Sequence, residues 1–353
     1  MADQVHHWNS LAEAEKLTQS TLIPGIVEED IRRNPLLGMA LPVAWTPGKT
    51  IKWVKEDVDN NMVGQTAPVA IGGQLSWSSN VKYVEKETFM TRRYVQRLLD
   101  NYIPAVYGTI NDYEAIVMAE MQKGIFVDIN DLLIYGDYTF NTDNGEFDGL
   151  HAWCAEQTIG DGLNQDGADT GLNLSKLRTM NTSMKLGIDV YLFPFQVADR
   201  LALAYIDGLG GETTGALTAR GQLSYISMGI NELGKRVMAY DSTPIVPTDY
   251  LVAEESDTGD NGTEARAKYT TDKTYSIFGI RFGNIYQGVP GFMYGFGDTA
   301  MAGQLYRTVL FEQLEDYDAK GIRFVSYGTT LMGSKYGACR MYDVDDDDLI
   351  ISA

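Results

Sequence analysis

The chain has 353 residues, 44% hydrophobic and 22% charged, a balance that excludes a disordered polymer and supports a sizeable core. Its 48 acidic against 28 basic residues give a net charge of −20, which excludes holding nucleic acid by overall phosphate neutralisation. No run approaches the ~18 apolar residues of a membrane helix, and the opening MADQVHHWNSLAEAEKLTQS lacks the apolar stretch of a signal peptide, so a soluble chain made in the cytosol is expected.

Residues 9–20 read as a helix start, with Asn9 or Ser10 as cap and Glu13 three residues after Ser10. Pro24 and Gly25 interrupt it. IVEEDIRRNPLLGMALPV continues as a short amphipathic piece broken at Pro35 and Pro42. The spacing predicts an arm over residues 1–44, laid on other structure. In residues 45–90, TIKWVKEDV and QLSWSSNVKYVEKETF alternate polar and apolar residues, the period of strands, around the turn-rich DNNMVGQTAPVAIGG. A lone hairpin is marginal in water, so this one needs a surface, either its own chain or a neighbouring copy.

Across residues 91–135, Val95, Leu98, Leu99, Tyr102, Val106, Ile110, Tyr113, Val117 and Met121 recur at three- and four-residue steps and predict a helix. Pro104 and Gly108 should split it, leaving a clean run from Thr109 to Lys123. Residues 175–187 predict a helix closed by Gly187. IDVYLFPF then reads as a strand, followed by a helix with Pro194 near its first turn. RVMAYDSTPIVPTDYLVAE reads as two short strands around a proline turn, and the polar residues 254–274 as an exposed excursion. YSIFGIRFG, GVPGFMYGFG, QLYRTVLFEQL, GIRFVSYGTTLMG and ACRMYDV return to strand, and DVDDDDLIISA reads as a solvated acidic tail. The class is α+β, without a fixed-period repeat.

Catalytic signatures are missing. There is no HExxH, CxxC, GxSxG or P-loop. The Gly-rich residues 208–221 follow a helix, the wrong place for phosphate binding, and read as a surface loop. His6, His7 and His151 cannot build a zinc site unaided, and Cys154 and Cys339 read as free thiols. YGDYTFNTDNGEFDGL, residues 135–150, has the oxygen-rich look of a calcium loop, but the EF-hand register fails. Counting from Asn141 puts Gly145 at position five, and counting from Asp137 puts Thr142 at position six. Asn144–Gly145 is a turn signal instead. No catalytic, cofactor-binding or metal-ligating residue is expected. Trp45, Trp53 and Trp77 fall in or beside the hairpin, where large aromatics either cluster over the chain's own core or meet another subunit. With the arm residues Ile23, Leu36 and Leu37, they are the candidate inter-subunit contacts.

The order of elements resembles the major capsid proteins of tailed bacteriophages, with the Hong Kong 97-type fold. TLIPGIVEEDIRRNPLLGMALPV looks like the family's N-terminal arm, and residues 45–90 like its extended loop. Residues 91–167 look like the peripheral domain with its spine helix, where LLIYGD and FDGL are similar to the pattern that follows the spine. MKLGIDVYLFPFQVADRLA and STPIVPTDYL are similar to stretches of the axial domain, here residues 168–300, and 301–353 return to the peripheral domain. The segment Asp137–Phe147 is longer than a minimal loop, and no long charged helical extension precedes the arm. The resemblance implies a structural subunit, not an enzyme, that self-assembles into pentamers and hexamers of an icosahedral shell around DNA. It implies a virion protein assembled in the host cytoplasm, with no membrane contact and no sequence-specific hold on the DNA. A separate scaffolding protein, a portal protein and decoration proteins are the other implied partners. A related implication is an encapsulin-type nanocompartment shell, and the alternative outside the family is an acidic hydrolase.

Overall fold

The computed structural model describes residues 31–39, 41–45, 48–56, 70–74, 83–102, 113–138, 145–155, 162–210, 226–230, 236–255, 273–297, 305–314 and 318–350. The described part of the arm makes one 3₁₀ turn, Leu36–Gly38, and enters strand β1 (Val43–Trp45). Strands β2 (Thr50–Glu56) and β3 (Tyr83–Phe89) pair antiparallel as a two-stranded sheet, the hairpin that alternation predicts.

The segment 91–100 corrects the helical reading of residues 91–135. It is strand β4 (Thr91–Asp100). Val95 and Leu99, four residues apart, fit both periods, and tertiary pairing decides between them. Val95 and Leu99 point to the core while Tyr94 and Leu98 point outward. The helix of this region is α1 (Tyr113–Tyr135), which runs past Gly124 and well beyond Lys123. Val117, Met121, Ile125, Ile129, Leu132 and Leu133 form its buried stripe.

A short helix α2 (Leu150–Ala155) and strand β5 (Asn164–Thr170) follow. Helix α3 (Leu174–Ser183) is capped by Asn173, whose side chain accepts from the N–H groups of Ser175 and Lys176. Strand β6 (Val190–Pro194) is buried throughout and leads directly into helix α4 (Phe195–Gly210). Strands β7 (Ile226–Ile230), β8 (Arg236–Tyr240) and β9 (Thr243–Thr248) form a meander. The β8–β9 turn is Asp241–Ser242, both at positive φ (46° and 68°), and not a proline turn. Pro244 and Pro247 lie inside β9.

The remaining strands are β10 (Glu254–Glu255), β11 (Lys273–Ile280), β12 (Phe292–Phe296), β13 (Arg307–Phe311), β14 (Ala319–Met332) and β15 (Ala338–Val344). Two sheets result. One has the order β1-β12-β14-β13, with β4 on the other side of β14 along ten residue pairs. The other has the order β5-β15-β11-β6-β9-β8-β7, with β10 beside β11. Two hydrophobic cores form, the first taking Val190, Leu192, Phe278 and Ile280 from the second sheet as well. Leu133, Phe147, Phe292 and Tyr294 centre the first core, beneath α1, and Leu177, Tyr191, Phe193, Ile277 and Met341 centre the second.

Two polar segments differ from their expected exposure. Glu254 and Thr274, the ends of the supposed excursion, are buried, and residues 256–272 lie outside the described set. The acidic terminus is docked rather than merely solvated. Ile350 exchanges backbone hydrogen bonds with Leu172 (2.9 Å) and Leu174 (3.1 Å), and Asp346 accepts from Arg200 at 2.8 Å.

Candidate functional site

The hairpin has two unlike faces. Ile51 and Trp53 turn inward to the chain's own core. Lys52 turns outward, its ammonium 3.0 Å from Glu85 and 3.1 Å from Glu87 on the facing strand. The two carboxylates raise the Lys52 pKa above its ordinary value. Exposed ion pairs of this kind add little stability but set register. Beside this trio, Val54 is 64% and Tyr83 67% exposed.

The root of the arm is fixed at two points. Arg33 forks onto Asp249, Nε to Oδ2 at 3.0 Å and Nη2 to Oδ1 at 3.2 Å, and its guanidinium lies 3.6 Å from the centre of the Phe195 ring. Hydrogen bonds from Arg33 hold the Asp249 carboxyl below the usual carboxylate range. Further along, the Leu37 N–H donates to the Asn130 side chain at 2.9 Å, and that amide donates to the Phe126 carbonyl at 2.8 Å. Asn130 is thus a fully buried amide inside α1 with both ends engaged.

The loop after α1 is closed by backbone. The Gly149 N–H donates to the Gly136 carbonyl at 2.7 Å, and the Tyr138 N–H donates to Asp148 at 2.9 Å. A Cβ on Gly136 would run into the Phe147 and Leu132 carbonyls, and one on Gly149 into those of Leu132 and Ile134. Gly145 sits at φ 66°, as a turn requires. Residues 139–144, which carry Asn141, Asp143 and Asn144 of the oxygen-rich run, lie outside the described set.

Behind this loop the two cores meet in a polar seam. Glu254 on β10 accepts from Arg340 on β15 (2.9 Å), Ser276 on β11 (2.7 Å) and the Tyr135 hydroxyl at the end of α1 (3.0 Å). His151 Nε2 on α2 stands 3.7 Å away. Burial alone pushes the Glu254 carboxyl up, but Arg340, His151 and Ser276 outweigh it and hold the pKa at about 2. Arg340 also donates to Ser276 at 3.0 Å through Nε. An ionised, saturated carboxylate of this kind ties elements together and has no proton to offer. Nearby, burial pushes the Cys154 thiol up to about 12 and the Cys339 thiol well above its usual range, so both free cysteines are inert.

The candidate contact residues separate. Leu36 is 1% and Trp53 9% exposed, both packed within the first core, so their surface already belongs to their own chain. Leu37 is half-buried against the same core. Trp45 lies on β1, which pairs parallel with β12, and only its backbone is described. Ile23 and Trp77 lie outside the described residues. Sequence reasoning missed the seam: Glu254 opens a polar segment, Arg340 sits in an apolar strand, and nothing in their spacing pairs them. Among the described residues no group of three or more His, Cys, Asp or Glu is placed to hold a metal, and no helix is long and apolar enough to cross a membrane.

No family model and no curated protein matches the chain. Solved structures do. The holo-SrpI encapsulin complex from Synechococcus elongatus PCC 7942 superposes with a TM-score of 0.61 at 12% identity, over 97% of this chain and 98% of that one. The capsid of a native GTA particle gives 0.56 at 9% identity, over 93% and 94%. The capsid of cyanophage P-SCSP1u gives 0.55 at 10% identity, over 96% and 94%. At such identities a likeness shows the fold, and it spans nearly the whole chain.

Proposed function

We propose that this chain, which has the Hong Kong 97-type fold, is a structural shell subunit and not an enzyme. In its finer form the reading is the major capsid protein of a tailed bacteriophage, forming pentamers and hexamers of an icosahedral shell that encloses DNA. The observation that carries it is end-to-end likeness to shell proteins, with more than nine tenths of each chain aligned. The hairpin supports it independently. A two-stranded ribbon with Val54 and Tyr83 exposed has a face that a neighbouring copy would bury. On this reading residues 1–44 are the arm, 45–90 the extended loop, 91–167 and 301–353 the peripheral domain and 168–300 the axial domain. Ile23, Trp45 and Trp77 are proposed to meet neighbouring copies. A separate scaffolding protein, a portal and decoration proteins are the further partners, and the virion capsid is the location.

A nanocompartment shell is the second reading, favoured by the higher TM-score of the encapsulin likeness. Negative-stain microscopy of the expressed chain tests the shared part: shells, tubes or capsomer rings support it, and monomers at high concentration refute it. Nucleic acid inside purified native particles selects the capsid, and packaged protein selects the nanocompartment.

A further inference from the structure

In a chain of net charge −20, one sheet face is basic. Residues opposite one another in an antiparallel pair share a face. Arg92 on β4 faces Tyr327 on β14, Arg307 on β13 faces Val325, and Arg323 on β14 faces Gln96 on β4. Tyr327, Val325 and Arg323 are alternate residues of one strand. The outward face of β4–β14–β13 therefore carries one guanidinium in each of three successive rows, about 7 Å apart. These side chains line a cavity of about 410 Å³, and among the described residues lining it none is a carboxylate.

The other face of the same sheet behaves differently. There Arg93 has Asp128 and Glu146 each 3.6 Å away, and Lys320 has Glu114 at 3.8 Å. On the outward face Arg323 is held by neutral groups, donating to the Gln96 side-chain oxygen at 2.9 and 3.1 Å with its guanidinium 5.1 Å from the centre of the Phe311 ring. Such partners orient a guanidinium without neutralising it. The next row is apolar, Leu98 and Phe311 flanking Gly321. Arginine with aromatic and aliphatic neighbours is the composition of a protein–protein interface.

We propose that this face docks onto a carboxylate-bearing surface of a second copy of the chain. The proposal deepens the shell reading and rests on it: in a homo-oligomeric shell the abutting partner is the same acidic chain. Charge complementarity between the arginine rows and those acids would set the alignment of neighbours and make it sensitive to salt.

The test is sedimentation velocity over a range of protein and salt concentrations, on the wild type, on R92E/R307E and on R92E alone, with circular dichroism to confirm folding. Charge reversal should raise the concentration needed for association about tenfold or more. Added salt should weaken wild-type association and leave the variants little changed. If the double variant fails to fold, R92E, at an exposed position, carries the same comparison. Association of folded variants equal to wild type at every salt concentration overturns the proposal. So does arginine-dependent binding of a labelled oligonucleotide with self-association unaltered, which would assign the face to nucleic acid. If the wild type forms no closed shells, the shell reading fails separately. Arginine-dependent association into smaller oligomers would still support the docking face, and no association at all would overturn it.

Discussion

Arg340 and Glu254 form an ion pair at 2.9 Å with side chains only 1% and 5% exposed. The pair joins β15 to β10, and through Tyr135 and His151 it reaches α1 and α2. It therefore lies where the first core meets the second. Two charges taken out of water need each other and every nearby hydrogen bond, and a lone survivor is costly.

E254L and R340M should each lower unfolding free energy by roughly 3–5 kcal/mol. Combining R340M with E254L should recover part of that loss, because no unpaired charge remains. Urea unfolding of the unassembled chain, arranged as a double-mutant cycle, measures the coupling. Independent, additive losses would show that the two side chains do not act as a pair.

The same carboxylate predicts an acid limb. Its folded pKa of about 2 lies below the ordinary 4.5. A depressed acid contributes stability that is complete above its unfolded pKa and is lost as pH falls through the folded one. The contribution is roughly 3 kcal/mol, and it should disappear between about pH 4.5 and pH 2. In E254Q that part of the acid dependence should be missing. An acid limb of identical steepness in the variant would place the titrating groups elsewhere.

The glycines around the α1 loop make a directional prediction. G136A and G149A place a methyl against backbone carbonyls that cannot swing away, and each should cost about 1–3 kcal/mol or more. G124A, inside α1 with nothing within 4 Å of its new Cβ, should instead stabilise by roughly 0.5–1 kcal/mol. Thermal melts of the three variants check the opposite signs.

These contrasts mark what can be read from the chain alone. Strands β2, β11, β14 and β15 are readable because alternation or an unbroken apolar run has few other solutions. The loop FDGL is readable as a turn, but the reason Gly149 must be glycine is a carbonyl of α1, which no local pattern reveals. Strand β4 misleads because Val95 and Leu99, four residues apart, satisfy helix and strand spacing alike, and β14 decides between them. Glu254 and Arg340 are 86 residues apart, so only the fold can pair them. The arginine rows are hidden for the same reason: Arg92, Arg307 and Arg323 come from three strands and share a face only by register.

Asn130 ties the arm to α1, and its role can be isolated. N130L keeps the side-chain volume but leaves the Leu37 N–H without its acceptor. The expected cost is about 1–3 kcal/mol, confined to the arm root because Arg33 and Asp249 still hold the chain beyond it. Hydrogen exchange should show faster exchange at Leu37, with the amides of β6 and β11 unchanged. Uniform acceleration across both sheets would instead mean that Asn130 supports the whole core.

The hairpin surface gives the sharpest separation of folding from assembly. Val54 and Tyr83 are exposed in the single chain, so V54D and Y83S should shift its thermal midpoint little. If neighbouring copies bury that face, the same changes remove apolar contact worth roughly 1–3 kcal/mol per interface. Repeated around a shell, a loss of that size should leave folded subunits unable to close particles. Light scattering of assembling protein, read beside circular dichroism of the same samples, distinguishes the effects. Normal particles from V54D/Y83S would show that the exposed face of the hairpin stays open to solvent in the assembly.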